Sequence, residues 1–197
     1  MIWVLPTAAM VAWLVRAQGT SAALIAKPLA STGFILVALA EGAADSRYGQ
    51  VVLAGLFLGA LGDVALMFER WFLGGLVLFL AGHVAFIVAF VSTSPITIAT
   101  AGVGAALGLF SAGWLLPKIE RTMRLPVAVY IVVISVMVSA GIGDGQHPFT
   151  RMGAPLFALS DLLVARERFV KSDPRNPMWG LPTYYAAQVL IALSVAT

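Results

Sequence analysis

Eight long runs of apolar residues divide the chain, and short polar segments separate them. A helix that crosses a bilayer needs about 20 mostly apolar residues, so each run predicts one spanning helix. The predicted spans cover the ranges 2–16, 24–42, 50–68, 72–93, 96–116, 125–143, 151–169 and 180–197. Pro28 and Pro126 fall near the starts of their spans, and Pro174 and Pro177 separate the last two, as expected of helix boundaries. The pattern therefore predicts an all-α, polytopic membrane protein, with residues 1–197 forming a single transmembrane bundle.

Basic residues are distributed unequally between the two sides of this arrangement. Loops after even-numbered spans hold only Arg47 and Arg151. Loops after odd-numbered spans hold the other ten: Arg16, Lys27, Arg70, Lys118, Arg121, Arg124, Arg166, Arg168, Lys171 and Arg175. Because cytoplasmic loops are enriched in Lys and Arg, the odd loops are predicted to be cytoplasmic and both termini to lie outside. The first run carries its charge after the apolar residues, at Arg16, which favours a spanning helix over a cleaved signal peptide.

Composition agrees with a membrane location. Hydrophobic residues make up 60% of the 197 residues and charged residues 11%, whereas a soluble domain has roughly 45–50% and about 25%. The absence of cysteine excludes disulfides and thiol catalysis. The net charge of +3 is too small and too scattered for a nucleic-acid surface. We expect a multi-pass protein of the cell inner (plasma) membrane with membrane lipids as partners; the oligomeric state stays open.

Two aspartates lie inside apolar stretches, Asp63 in GLFLGALGDVALMF and Asp161 in GAPLFALSDLLVARERF. An ionisable group at membrane depth costs roughly 2.5–3.5 kcal/mol on insertion scales and is often functional. At 1.5 Å per residue, both fall in the cytoplasmic half of the predicted bilayer. Polar side chains at the same depth on other spans are Lys27, His83, Tyr184, Tyr185 and Gln188. The pattern predicts an intramembrane acid–base site.

Each of these residues also has a structural interpretation. A lone aspartate near a helix end can cap a neighbouring helix, and a histidine in an apolar helix is often a hydrogen-bonded core residue. The tyrosines and Gln188 can join helices through hydrogen bonds. Lys27 can serve as a topology-determining charge or meet a lipid phosphate.

The two halves of the chain show a weak internal similarity. Pro28 precedes Asp63 by the same spacing as Pro126 precedes Asp161, and LGDV resembles LSDL. A parallel repeat of two four-helix halves would produce this pattern. Chance would also produce it, so the sequence leaves both interpretations open.

Other chemistries lack the necessary residues. The chain has two histidines, and His147 is predicted on the opposite side of the membrane from His83, so a three-histidine zinc site is excluded. The sequence contains no GxSxG, P-loop or dinucleotide motif. A metal site of His83 and the two aspartates is conceivable but only weakly indicated, and whether a metal assists stays open. We expect no metal and no cofactor.

The chain resembles the YhhN family of small eight-span membrane proteins, whose animal members include lysoplasmalogenases. The similarity extends over nearly the whole length, and the order and spacing of short motifs carry it. The matching residues are Lys27-Pro28, Gly62-Asp63, Gly82-His83, Pro126, Tyr130, Gly153-Ala154, the segment 157–161, Tyr185 and Gln188.

The resemblance implies hydrolysis of the vinyl-ether bond of lysoplasmalogens, or of a related ether or lysolipid, to a fatty aldehyde and a glycerophospho head group. It also implies that the two essential aspartates of the family are Asp63 and Asp161. Such a reaction needs a carboxylic acid that protonates the vinyl-ether β-carbon and a carboxylate that orients water. Contacts with the lysolipid substrate are expected from the other matched polar residues, Lys27, His83, Tyr130, Tyr185 and Gln188.

A proton-coupled transporter of small molecules or lipids that uses the same aspartates is the alternative from another class. It is less favoured because no strong Gly/Pro break, typical of transporter sites, lies near both aspartates.

Overall fold

The computed structural model describes residues 2–196 and contains eight α-helices and no strand within that range. The helices are α1 (Val4–Ala17), α2 (Ala23–Ala40), α3 (Arg47–Ala65), α4 (Phe72–Thr93), α5 (Ile98–Leu115), α6 (Arg121–Gly143), α7 (Pro148–Ala165) and α8 (Arg175–Leu193). A 3₁₀ turn, Glu69–Trp71, precedes α4, and a π turn, Arg166–Val170, follows α7. Further 3₁₀ turns are Leu116–Lys118 and Ser194–Ala196. Thr197, the predicted end of the last span, lies outside the described residues, as does Met1.

Each of the eight apolar runs corresponds to one helix, but several ends differ. Helix α6 begins at Arg121 and α8 at Arg175, four and five residues before the predicted spans. The first extra turns begin with Arg-Thr in α6 and Arg-Asn in α8. A helix can continue beyond the hydrocarbon layer, where hydropathy no longer marks it. Helix α3 ends at Ala65, three residues earlier than predicted, and α7 ends at Ala165.

Within residues 2–196, five helical segments are long and apolar enough to cross a membrane by length and composition: Ala23–Ala40, Arg47–Ala65, Glu69–Thr93, Ile98–Lys118 and Arg121–Gly143. Helix α1 is apolar but has only 14 residues. These helices make the protein a multi-pass membrane protein.

The helices pack into one bundle in which α8 contacts α1, α2, α3 and α7. The most extensive packing joins α3 to α4 and α7 to α8. Glycines allow these close approaches: a Cβ at Gly55 would stand 2.5 Å from the Phe86 ring, and one at Gly153 would stand 2.9 Å from Ile191. Fully buried aromatic side chains fill the centre, among them Phe34, Phe86, Phe90, Phe157 and Tyr185.

Candidate active site

Asp63 lies in the last turn of α3 and is surrounded by hydrogen-bond donors. Ser31 Oγ and Tyr184 OH donate to its Oδ2 at 2.6 and 2.8 Å, and Lys27 Nζ lies 3.4 Å from its Oδ1. Lys27 and Ser31 are one turn apart on α2, so they present both groups to the same carboxylate. The side chain of Asp63 is only 4% exposed. A buried carboxylate with a cationic partner and two hydroxyl donors is well satisfied as an anion.

Asp161 lies in the last turns of α7 and has a sparser environment. Tyr130 OH donates to its Oδ2 at 2.7 Å, and His83 Nε2 lies 3.6 Å from the same oxygen, just beyond hydrogen-bonding distance. The His83 ring is buried between the edges of Tyr130 and Phe157, with centroid distances of 5.2 and 4.7 Å. Asp161 is 19% exposed, far more than Asp63. No lysine or arginine pairs with Asp161 among the described residues.

Both carboxylates line one cavity, although they are far apart in the sequence. Its volume is about 550 Å³, within the range of roughly 300–1,000 Å³ that is typical of small-molecule sites. Lys27, Tyr130 and Tyr184 line it together with Asp63 and Asp161. The remaining wall is mostly apolar, so a ligand with a hydrocarbon part would bring its polar or reactive atoms to the two acids.

The cavity reaches the end of the bundle where α3 and α7 end and α4 and α8 begin. Arg168 pairs there with Glu69, and its guanidinium lies over the Phe72 ring at 4.4 Å. This contact joins the turn before α4 to the turn after α7, and both charged residues line the cavity. We call this end, marked by Glu69 and Arg168, the mouth.

A second polar cluster at the mouth fixes the start of α8. Asn176 Nδ2 donates to Glu167 Oε2 at 2.6 Å, and Arg166 donates to the Asn176 amide oxygen. The Arg175 amide donates to Asp173 Oδ1 at 2.9 Å, which lowers the pKa of that carboxyl. These contacts hold α8, and therefore Tyr184, in place.

Three of the residues predicted to bind substrate are not among the described residues that line the cavity: His83, Tyr185 and Gln188. Tyr185 OH lies 3.1 Å from Ser31 Oγ and donates weakly to the Lys27 carbonyl at 3.4 Å. Gln188 Nε2 donates to Tyr184 OH at 2.9 Å. Tyr185 and Gln188 therefore contact residues that touch Asp63, while His83 faces Asp161.

Two residues that contact Asp63 were not predicted to bind substrate: Ser31, and Tyr184, which the sequence placed only at the same membrane depth. Their signals are modest. Ser31 follows Lys27 by one helical turn in an otherwise apolar helix, and Tyr184 precedes Gln188 by one turn. Spacing of this kind places side chains on one helix face.

The described residues contain no group of three or more His, Cys, Asp or Glu side chains that could hold a metal ion. His147, the second histidine, occupies the N-cap position of α7, and its ring stacks on Tyr48 with ring centroids 3.9 Å apart.

The fold and the cavity thus define a helical membrane protein whose bundle contains a cavity lined by two aspartates. The family model described as YhhN family matches residues 22–195, and the chain belongs to this family. It is 32% identical over 169 residues to a human protein named lysoplasmalogenase TMEM86B, a match that covers 84% of this chain and 70% of the relative. A Mycobacterium tuberculosis protein named lysoplasmalogenase is 32% identical over 175 residues, which is 82% of this chain and 66% of the relative. The rat lysoplasmalogenase TMEM86B is 30% identical over 174 residues, covering 88% and 72%. No solved structure matches the chain significantly.

Proposed function

We propose that the protein is an intramembrane hydrolase that cleaves the vinyl-ether bond of lysoplasmalogens by aspartate acid–base catalysis. The observation that carries the proposal is that Asp63 and Asp161 line a single, largely apolar cavity. The relatives named lysoplasmalogenase support this substrate class. They give no support to the proton-coupled transporter considered from the sequence.

The unequal surroundings of the two acids suggest different roles. Lys27 and two hydroxyl donors favour the charged form of Asp63. Asp161 has one hydroxyl donor and no cationic lysine or arginine partner among the described residues, so the neutral acid is the less costly form in an apolar site. We assign Asp161 as the general acid and Asp63 as the carboxylate that orients water.

The reaction then runs in two stages. Asp161 gives its proton to the β-carbon of the vinyl ether, and the double bond becomes an oxocarbenium ion beside the negative charge of Asp63. Water attacks the cationic carbon while Asp63 takes one of its protons, which gives a hemiacetal. In the second stage Asp63 protonates the glycerol oxygen as its bond to carbon breaks, and Asp161 takes the hemiacetal hydroxyl proton. Aldehyde and glycerophospho head group leave, and both acids return to their starting forms.

The mouth suits the head group of such a substrate. Arg168 offers a guanidinium for a phosphate, and Glu69 offers a carboxylate for a head-group amine. Lys27 lies deeper, against Asp63, so its role in this scheme is to stabilise that anion rather than to bind phosphate.

Aldehyde release by purified protein in detergent tests the proposal. Asp63→Asn and Asp161→Asn are each expected to lower kcat by about 10²–10⁴-fold, the usual contribution of a general acid or base. Asp45→Asn, an exposed aspartate in the loop between α2 and α3, is the matched control and should keep normal turnover. Near-normal turnover of both folded site variants would refute the catalytic assignment.

For the topology, we propose eight spans in one domain of the inner membrane, with both termini outside. The chain lacks cysteine, so single cysteines report directly on sidedness. Ala44→Cys, between α2 and α3, should react with an impermeant maleimide in intact cells. Thr122→Cys, at the start of α6, should react only after permeabilisation. The reversed pattern would contradict the orientation.

We also propose that the bundle is a parallel repeat of α1–α4 and α5–α8. Asp63 on α3 is contacted from α2 and α8, and Asp161 on α7 is contacted from α6 and α4. If the halves α1–α4 and α5–α8 are exchanged, α2 corresponds to α6 and α8 corresponds to α4, so the two sets of contacting helices are equivalent. The packing of α2 on α8 likewise matches that of α6 on α4. These correspondences support a site built around an internal two-fold relation.

A further inference from the structure

A second, smaller groove lies between α5, α6 and α7, beside the aspartate cavity. Its volume is about 260 Å³, and all eight side chains that line it are apolar. Leu107, Ala158 and Leu162 line both spaces, so the groove continues the cavity away from the mouth. We call this space the α5–α7 groove.

The packing of α5 accounts for the groove. Among the helices, α5 packs mainly against α6. Gly104 and Gly108 face Ser139 and Ser135 of α6 so closely that a Cβ would stand 2.0 and 2.9 Å from their hydroxyl oxygens. The neighbouring face of α5, which includes Leu107, is thereby left to face α7 across a gap.

Stripes of side chains run from the cavity into the groove on each helix. On α6 the cavity residues Tyr130 and Ile134 are followed at four-residue spacing by Val138 and Ile142 of the groove. The twelve residue steps from Tyr130 to Ile142 correspond to about 18 Å of helix. Tyr130 donates to Asp161, so this apolar path begins beside the proposed acid and extends over a distance suited to a long fatty chain.

We propose that the α5–α7 groove binds the alkenyl chain of the substrate and sets the preference for chain length. This inference rests on the proposed function. It places the head group at the mouth, the vinyl ether between the aspartates and the hydrocarbon tail in the groove. Continuity with the cavity and an entirely apolar lining favour a single hydrocarbon chain as the occupant.

Filling the far end of the groove tests the proposal kinetically. Val103 of α5 is 49% exposed and lines this end, so Val103→Trp should fold while shortening the groove. We expect it to lower kcat/KM for a hexadecenyl lysoplasmalogen relative to an octenyl one by about tenfold or more, the effect of leaving two methylenes unburied. Leu109→Trp is the matched control on the same helix: Leu109 is 77% exposed, does not line the groove and should leave the ratio unchanged. An unchanged ratio in Val103→Trp would overturn the proposal.

Photolabelling separates this proposal from the catalytic one. A lysolipid with a diazirine at the end of its chain should label peptides that contain Val103 or Ile142, even in a protein that hydrolyses nothing. The wild type could be inactive on every lysoplasmalogen and still show this labelling. That result would reject the proposed hydrolase activity but would support the groove as a binding site for a lipid chain. Labelling elsewhere would overturn the groove assignment. Equal competition by a diacyl phospholipid, or crosslinks between two copies of the chain, would also overturn it.

Discussion

Tyr184 and Tyr185 provide a direct test of the site because they are adjacent, buried and of identical chemistry. Tyr184 OH donates to Asp63 Oδ2 at 2.8 Å, whereas Tyr185 OH contacts the Ser31 hydroxyl and a backbone carbonyl. Each can be changed to phenylalanine with almost no change in volume. Only Tyr184→Phe removes a donor from a carboxylate.

The expected size of the effect follows from this difference. A hydrogen bond to a charged group contributes about 1.5–3 kcal/mol, and one between neutral groups about 0.5–1.5 kcal/mol. If Asp63 must be an anion to orient water, Tyr184→Phe should lower kcat by about 10–100-fold near neutral pH, since about 1.4 kcal/mol corresponds to a factor of ten. Tyr185→Phe should lower kcat by about tenfold at most, and by less than Tyr184→Phe, because its hydroxyl touches no carboxylate.

The assay is aldehyde release across a pH series, with thermal unfolding measured in parallel. The Tyr184→Phe deficit should shrink as the pH rises, because higher pH restores the charged carboxylate. A merely structural role would lower the unfolding temperature and leave a deficit that does not depend on pH. Equal rates for the two variants at every pH would refute the reasoning.

Two further tests address the support of the site and its mouth. Gly59→Ala should slow turnover about tenfold, because its Cβ would stand 2.7 Å from Gln188 Nε2 and displace that amide. Gly113→Ala is the control: nothing lies within 4 Å of its Cβ, so turnover should be unchanged and the unfolding temperature should rise slightly. At the mouth, Arg168→Ala should raise KM several-fold with kcat unchanged, and Glu69→Gln should leave the KM for a substrate without a head-group amine unaffected. Substrate titration measures the KM of both variants, and the unfolding temperature should stay close to that of the wild type because the pair is exposed.

The number of helices could be predicted from the sequence because lipid-facing and core-facing residues are both apolar, which produces unmistakable runs. The positions of the helix ends could not be predicted in the same way. Arg121 and Arg175 begin their helices in polar surroundings, where hydrophobicity carries no signal. The π turn after α7 likewise has no apolar pattern of its own.

The shared depth of Asp63 and Asp161 predicts that both could reach one cavity. The sequence does not predict all of the residues that form hydrogen bonds with them. The single hydroxyl proton of Ser31 has two acceptors within reach, the Lys27 carbonyl of its own helix at 3.1 Å and Asp63 Oδ2 at 2.6 Å, and a bond to the carbonyl is the ordinary behaviour of a helical serine. Tyr184 and Tyr185 point about 100° apart on their helix, and sequence alone does not say which one faces the acid. The matched motif contains Tyr185, yet Tyr184 makes the contact.

The residues that line the aspartate cavity come from helices that are far apart in the sequence, so the cavity is completed late in synthesis. Asp63 is synthesised early, but Tyr184, one of its two hydroxyl donors, belongs to the final helix, and Asp161 belongs to the helix before it. A polypeptide in which α7 and α8 have not yet been synthesised therefore lacks Asp161 and one hydroxyl donor to Asp63, both of which the proposed acid–base pair needs.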